Sequence, residues 1–292
     1  MEWRGRLGVP YQGSKNAIAR DIISILPSGR RFVDLFAGGC AMTHAAILSG
    51  KYERFLANDK HGFGVRLFMD AIAGKCNGKW REWVSREEFY RRKGTDPLIA
   101  LCWSFSNNGR DYLYSHEEED IKCKAQEYIV SEIDSTKCSH KEYRKIFRRY
   151  RIEKKLKSNP EMQSFFQVES LEQLERLQKI LGNGRIEERS QSYQDVDIKR
   201  GDIIYCDPPY EKAQRYNTNY DFDHEAFWRW CESRDFPVFV SEYIAPEGFI
   251  PIWRKGKYRQ MSNKGATGKA VEKVFVAERW ADRYQSDLFP DF

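Results

Sequence analysis

The chain has 292 residues, 41% of them hydrophobic and 14% aromatic, with a formal net charge of +6. That length suits about two domains, and so many aromatics exclude a wholly disordered chain. No apolar run reaches the roughly 18 to 20 residues of a membrane helix, and MEWRGRLGVPYQGSK lacks a signal peptide's apolar stretch, so a soluble cytoplasmic protein is expected.

Residues 16–26 read as a helix, with Ile18, Ile22, Ile25 and Leu26 on one stripe and Pro27 as its stop. Arg31–Phe36 is a β-rich run that enters Gly38-Gly39, and Met42–Leu48 is apolar and helical. Arg54–Ala57 is a second strand, closed by Asn58-Asp59. The span from about 80 to 182 is mostly helical, and its Leu171, Leu174, Leu177 and Leu181 have the spacing of a packed face. Strands resume at Asp202–Cys206, Phe236–Ser241, Phe249–Trp253 and Lys273–Ala277. Strand–turn–helix units on either side of a helical middle predict one α/β domain carrying a large insertion.

Seven cysteines, with no two at a paired zinc spacing, read as free thiols, and five scattered histidines suggest no triad. No metal site is expected. The charge is concentrated: KCSHKEYRKIFRRYRIEKKLK, residues 137–157, sets ten lysines and arginines against Glu142 and Glu153. Tyr143, Phe147 and Tyr150 recur there at helical spacing, so one aromatic stripe packs while the cations radiate around it. Such a helix suits a polyphosphate partner. Arg144, Lys145, Arg148, Arg149 and Arg151 are the phosphate or base candidates.

Two constellations carry chemistry. In Phe32-Val-Asp-Leu-Phe-Ala-Gly-Gly-Cys40 an apolar strand runs into glycines, which let a cofactor approach the backbone at the mouth of a doubly wound sheet. Asp59 ends the next strand, where an acid can take the two hydroxyls of a ribose. The sharper motif is Ile203-Ile-Tyr-Cys-Asp207-Pro208-Pro209-Tyr210. Two prolines fix successive φ angles and remove two donors, leaving a rigid loop that presents carbonyl oxygens. A carboxylate beside a fixed carbonyl accepts both hydrogens of an exocyclic amine, and Tyr210 offers a flat face on which the same base stacks.

Asp207-Pro-Pro-Tyr210 and the Asp-Leu-Phe-Ala-Gly-Gly loop resemble the amino-methylating, S-adenosylmethionine-dependent DNA methyltransferases. Tyr11-Gln-Gly-Ser-Lys15 is similar to the N-terminal motif of Dam-type adenine-N6 members. The resemblance covers about 1–75 and 185–280, and the middle matches only loosely. It implies a Rossmann-like methyltransferase sheet with helices on both faces, formed by 1–80 and 185–292, and a mostly helical target-recognition insertion over 81–184. It also implies methyl transfer from S-adenosylmethionine to a flipped-out adenine of double-stranded DNA, by a monomer. Tyr11 and Lys15 would then contact the methionine end of the cofactor, Asp34, Phe36 and Gly38 would form its loop, and Asp59 would bind its ribose. Asp207 and Pro208 would hold the target amino group, with Pro209 stiffening the loop and Tyr210 stacking on the base.

Three departures from the family pattern stand out. Cys40 replaces a usual glycine, so the loop is expected to close without a positive φ there. Ser192-Tyr193 replaces an Asp-Phe type pair at the adenine, a place for Tyr193 or Asp195. The middle domain departs most. Within it Trp103–Tyr112 resembles the family's turn into the insertion, where Asn107, Asn108 and Arg110 would touch DNA. Near the C-terminus, Gln285-Ser-Asp-Leu288-Phe289 resembles the short peptide by which bacterial replication and repair proteins bind the sliding clamp. An N4-cytosine DNA methyltransferase, an RNA methyltransferase and an inactive DNA-binding protein on the same fold are the alternative readings.

Overall fold

The computed structural model describes residues 5–133, 140–154, 162–182, 184–210, 222–261 and 266–284. The chain forms two compact units, one of residues 1–16, 38–41 and 63–183, the other of residues 17–37, 42–62 and 184–292.

The second unit holds a seven-stranded sheet: β1 (Gly29–Asp34), β2 (Tyr52–Asn58), β3 (Ile186–Arg189), β4 (Asp202–Cys206), β5 (Val238–Glu242), β6 (Phe249–Met261) and β7 (Ala266–Ala277). Their order is β3-β2-β1-β4-β5-β7-β6, with β7 antiparallel to both of its neighbours and the other pairings parallel. This is a Rossmann-like sheet with helices around it, and its strand order reverses between β1 and β4. Val33, Leu35, Ile204, Cys206, Val238 and Val240 build its core with Phe227 and Phe275. Strands buried on both faces read as continuous apolar runs, which is why β1, β4 and β5 stand out in the sequence.

Local chemistry sets the element ends. The first helix starts at Ala19, not at residue 16, because the Asn16 side chain is occupied in accepting the Leu7 N–H at 2.6 Å. Its last carbonyls, on Ile23, Ser24 and Leu26, accept from the Lys51 ammonium at 2.7–2.8 Å. β5 starts at Val238 because Pro237 has no N–H for the ladder. At its foot β1 is tied to β4 by a buried pair: Arg31 Nε donates to Asp202 at 3.0 Å, and Arg31 Nη2 also reaches the Asp197 carbonyl at 2.8 Å.

Helices dominate the first unit: Phe63–Ile72, Arg86–Arg92, Pro97–Cys102, His116–Ser131, His140–Glu153 and Gln163–Glu172. Three of these helices start on a capping side chain, whereas Gln163–Glu172 follows Met162 without one. Ser85 and Asp96 accept backbone N–H groups, and Ser115 with Glu118 forms a reciprocal capping box. Trp80, Phe89, Trp103, Tyr143 and Phe165 are fully buried in this unit. Among the described residues, no helix is long and apolar enough to cross a membrane.

Candidate active site

Asp34 closes β1, Asp59 follows the last residue of β2, and Asp207 follows the last residue of β4. Because β1 lies between β2 and β4, the three carboxyls share the carboxyl edge of the sheet at its switch point. Backbone bonds weld that edge: Leu35 N–H donates to the Tyr205 carbonyl at 3.0 Å and Ala37 N–H to the Asn58 carbonyl at 2.8 Å. Asn58, which the sequence motifs pass over, is fully buried. Its amide donates to the carbonyls of Leu35 (3.0 Å) and Gln191 (3.1 Å), and its oxygen accepts Gln191 N–H at 3.2 Å. It thus joins the β1 loop to the segment that carries Tyr193.

Asp34 is 1% exposed. Its Oδ2 accepts the hydroxyl (2.7 Å) and the backbone N–H (3.2 Å) of Thr43, in the first turn of the helix Ala41–Ser49. Its Oδ1 is buried with no donor among the described residues. Burial, reinforced by Asp207 and Asp59, overcomes the Thr43 bonds and raises this carboxyl from 3.8 to about 7. Asp59 is held differently, its Oδ1 accepting N–H groups of His61 (3.0 Å) and Gly62 (3.4 Å) in a tight turn.

Phe36 and Tyr193 meet, with ring centroids 5.4 Å apart. Phe227 stands edge-on to both, at 5.6 Å and 5.4 Å, and Trp230 lies 5.2 Å from Tyr193. Both Phe36 and Tyr193 keep half-exposed faces, so an aromatic wall flanks the carboxyl edge, whereas Asp195 is exposed. The Asp207–Tyr210 loop leaves β4 with Pro208 buried and Asp207, Pro209 and Tyr210 half-buried.

In the other unit, Tyr11 packs on the glycine loop. A Cβ at Gly38, whose φ is +48°, would lie 2.8 Å from Tyr11 Cε1, and one at Gly39 would lie 2.5 Å from Tyr11 Cβ. Lys15 is buried. Cys40 corrects the sequence expectation: its φ is +58°, so the loop does take the left-handed turn there. The conformation costs a non-glycine residue about 1–2 kcal/mol. The fully buried thiol offsets part of that cost.

The turn after Trp103 also bends through left-handed backbone, at Ser106 (φ 53°) and Asn107 (φ 56°). Asn107 is buried, donating to the Leu101 carbonyl (2.8 Å) and to Gln167 (3.0 Å). Asn108 accepts the N–H groups of Arg110 (2.8 Å) and Asp111 (3.2 Å). Both asparagines therefore shape the turn, while Arg110 is exposed at its rim. Phe105 is 61% exposed beside them, an apolar residue among polar turn formers that sequence reading missed.

On the helix His140–Glu153 the expected stripe is present: Tyr143, Ile146, Phe147 and Tyr150 are buried, and Tyr143 stacks on Phe165 at 4.2 Å. Arg144, Lys145, Arg148 and Arg149 are exposed, and Arg151 is half-exposed. Arg149 is already engaged, by an ion pair with Glu132 and a 3.1 Å bond to the Tyr128 hydroxyl. Removing the charges of Arg144, Lys145 and Arg148 is expected to flatten the salt dependence of duplex binding by about 0.9 per lost phosphate contact, and Arg149→Gln by less. Binding isotherms across a salt series check this; an unchanged slope assigns the helix to packing alone. Gln285, Leu288 and Phe289 lie outside the described residues.

A family model described as D12 class N6 adenine-specific DNA methyltransferase matches residues 11–239. No curated protein matches the chain.

Proposed function

The chain belongs to the D12 class of N6 adenine-specific DNA methyltransferases, and on that premise we propose how its residues divide the work of methylating adenine in DNA. The family selects DNA adenine over the cytosine and RNA alternatives and makes the protein an enzyme of a class that in general uses S-adenosylmethionine.

One observation carries the reading: a buried carboxyl oxygen of Asp34 that has no donor among the described residues, at the switch point of the sheet, between Asp59 and Asp207. The site fits S-adenosylmethionine on that ground. A buried acid held near its titration point gives up its proton readily when a cation arrives, and the carboxylate so formed compensates the cation's charge where solvent cannot. Asp34 would face a cationic end of the cofactor, Asp59 would take the ribose hydroxyls, and Phe36 and Tyr193 would flank the adenine. Tyr11 and Lys15 keep the role toward the methionine end that the family resemblance implies. Bound there, the cofactor supplies an electrophilic methyl group.

The chain's own residues act on the other substrate. Adenine's amino lone pair is delocalised into the ring, which makes the nitrogen a poor nucleophile. Asp207 and the Pro208 carbonyl accept its two N–H groups, favour a tetrahedral nitrogen and stabilise the positive charge that develops there. Pro209 keeps the loop stiff, and Tyr210 stacks on the base, which leaves the duplex to reach the pocket. The helical unit supplies the DNA grip, with Arg144, Lys145, Arg148, Arg149 and Arg151 as phosphate or base contacts and Arg110 and Phe105 on the rim of the strained turn. Through Gln285, Leu288 and Phe289 the chain would also reach a sliding clamp. Cutting it after Arg283 is expected to abolish clamp capture and spare methylation of short duplexes; capture that survives the cut removes that partner.

Cofactor binding tests the Asp34 role. The folded carboxyl titrates at about 7, above its ordinary 3.8. Its neutral form therefore lends the free protein stability that is fully present below pH ~4 and is lost as pH rises through 7. A cation binds only after that proton leaves. Affinity for S-adenosylmethionine is thus expected to rise about tenfold between pH 5.5 and 7, with one proton released at the acid end in calorimetry. Asp34→Asn is expected to bind weakly with a flat profile. A flat profile in the unaltered protein contradicts the assignment.

A further inference from the structure

The residue that fixes Tyr210 lies 62 positions away in the chain. Glu272 sits on β7, and its Oε1 accepts a hydrogen bond from the Tyr210 hydroxyl. The Tyr210 ring is also held from the side, edge-to-face with Tyr243 at 4.8 Å and 89°. A hydroxyl tethered at one end and a ring wall against the other part leave the two side-chain torsions of a tyrosine little freedom. Below the loop, the Tyr205 and Ser241 hydroxyls bond at 2.6 Å and join β4 to β5.

Glu272 is 1% exposed on a strand whose next apolar residues, Val274, Phe275 and Val276, are core. A carboxyl group there has no packing advantage over an apolar side chain, and its burial is costly unless it is hydrogen-bonded. Burial, with Asp207 and Glu272 nearby, lifts the Tyr210 phenol well above its ordinary range, so it stays a donor at any working pH. We infer that Glu272 is a positioning residue for methyl transfer: by accepting from Tyr210 it sets the ring plane on which the flipped adenine stacks. The inference rests on the reading of Tyr210 as the stacking face.

The test uses the full chain, S-adenosylmethionine and a duplex carrying 2-aminopurine at the methylated adenine, whose fluorescence rises on unstacking and falls on stacking against a tyrosine. Tyr210→Phe and Glu272→Leu are each expected to slow single-turnover methylation about tenfold and to raise the fluorescence of the bound probe. Cofactor and duplex affinities should stay within about twofold. The double variant should be no slower than either single one, because both remove the same bond. Glu272→Gln, which keeps the acceptor oxygen, should stay within about threefold of the unaltered enzyme. Rates and fluorescence unchanged in Tyr210→Phe, or losses that multiply in the double variant, overturn the inference. Tyr210→Ala separates the two levels. If it abolishes transfer while Glu272→Leu is silent, the positioning role alone fails; if it transfers methyl normally, the stacking reading fails and takes the inference with it.

Discussion

Asp207→Ala is expected to lose methyl transfer by about 10²–10³-fold while binding duplex DNA almost as before. The side chain leaves a rigid loop at the carboxyl end of β4, the strand beside β1, so its removal disturbs no ladder bond. On the proposed mechanism, what disappears is an acceptor for one amino hydrogen and a negative charge beside the nitrogen that becomes positive. The duplex contacts proposed for the exposed cations of the helix His140–Glu153 would remain. Cofactor affinity should improve slightly at low pH, because Asp207 is one of the charges that hold the Asp34 proton in place. Single-turnover rates with matched duplex titrations check this. Retained turnover rejects the amino-group clamp, and lost duplex binding assigns Asp207 to DNA affinity.

The second large effect concerns stability. Arg31 and Asp202 pair at the foot of the sheet with side chains 9% and 6% exposed. Two bonds join them, and Asp202 also accepts Lys199 N–H at 2.7 Å. The hydrogen bond to Asp202 is the main reason the guanidinium is held above its ordinary range. Removing one partner leaves the other buried and uncompensated, so Arg31→Ala or Asp202→Ala should cost about 3–5 kcal/mol. Arg31→Met combined with Asp202→Leu should recover most of that loss, since the charges' own desolvation vanishes with them. Denaturant melts of the four proteins measure it. Equal losses in the single and double variants contradict the argument.

The parts of this molecule that are legible in its sequence are those encoded locally. β1, β4 and their loops combine apolar runs with glycine or proline punctuation, and the basic helix shows its aromatic stripe by spacing alone. β3 is not legible, because Ile186-Glu-Glu-Arg189 is four residues of a polar edge strand whose pairing with β2 supplies the order. β6 and β7 run much further than their apolar centres, since each is extended by the other's backbone. Asn58 and Glu272 stay hidden for the same reason: their partners lie 133 and 62 positions away. The left-handed turn at Cys40 is set by close backbone packing, with a Cβ at Gly8 falling 2.1 Å from the Gly39 carbonyl oxygen. Residue type alone argues against such a turn.

The most direct measurement is transfer of labelled methyl from S-adenosylmethionine to unmethylated mixed-sequence DNA, followed by nucleoside analysis, with Asp207→Ala in parallel. The account predicts N6-methyladenine from the unaltered protein and its loss in the variant. N4-methylcytosine, or no transfer to DNA from protein that binds both cofactor and duplex, would contradict it.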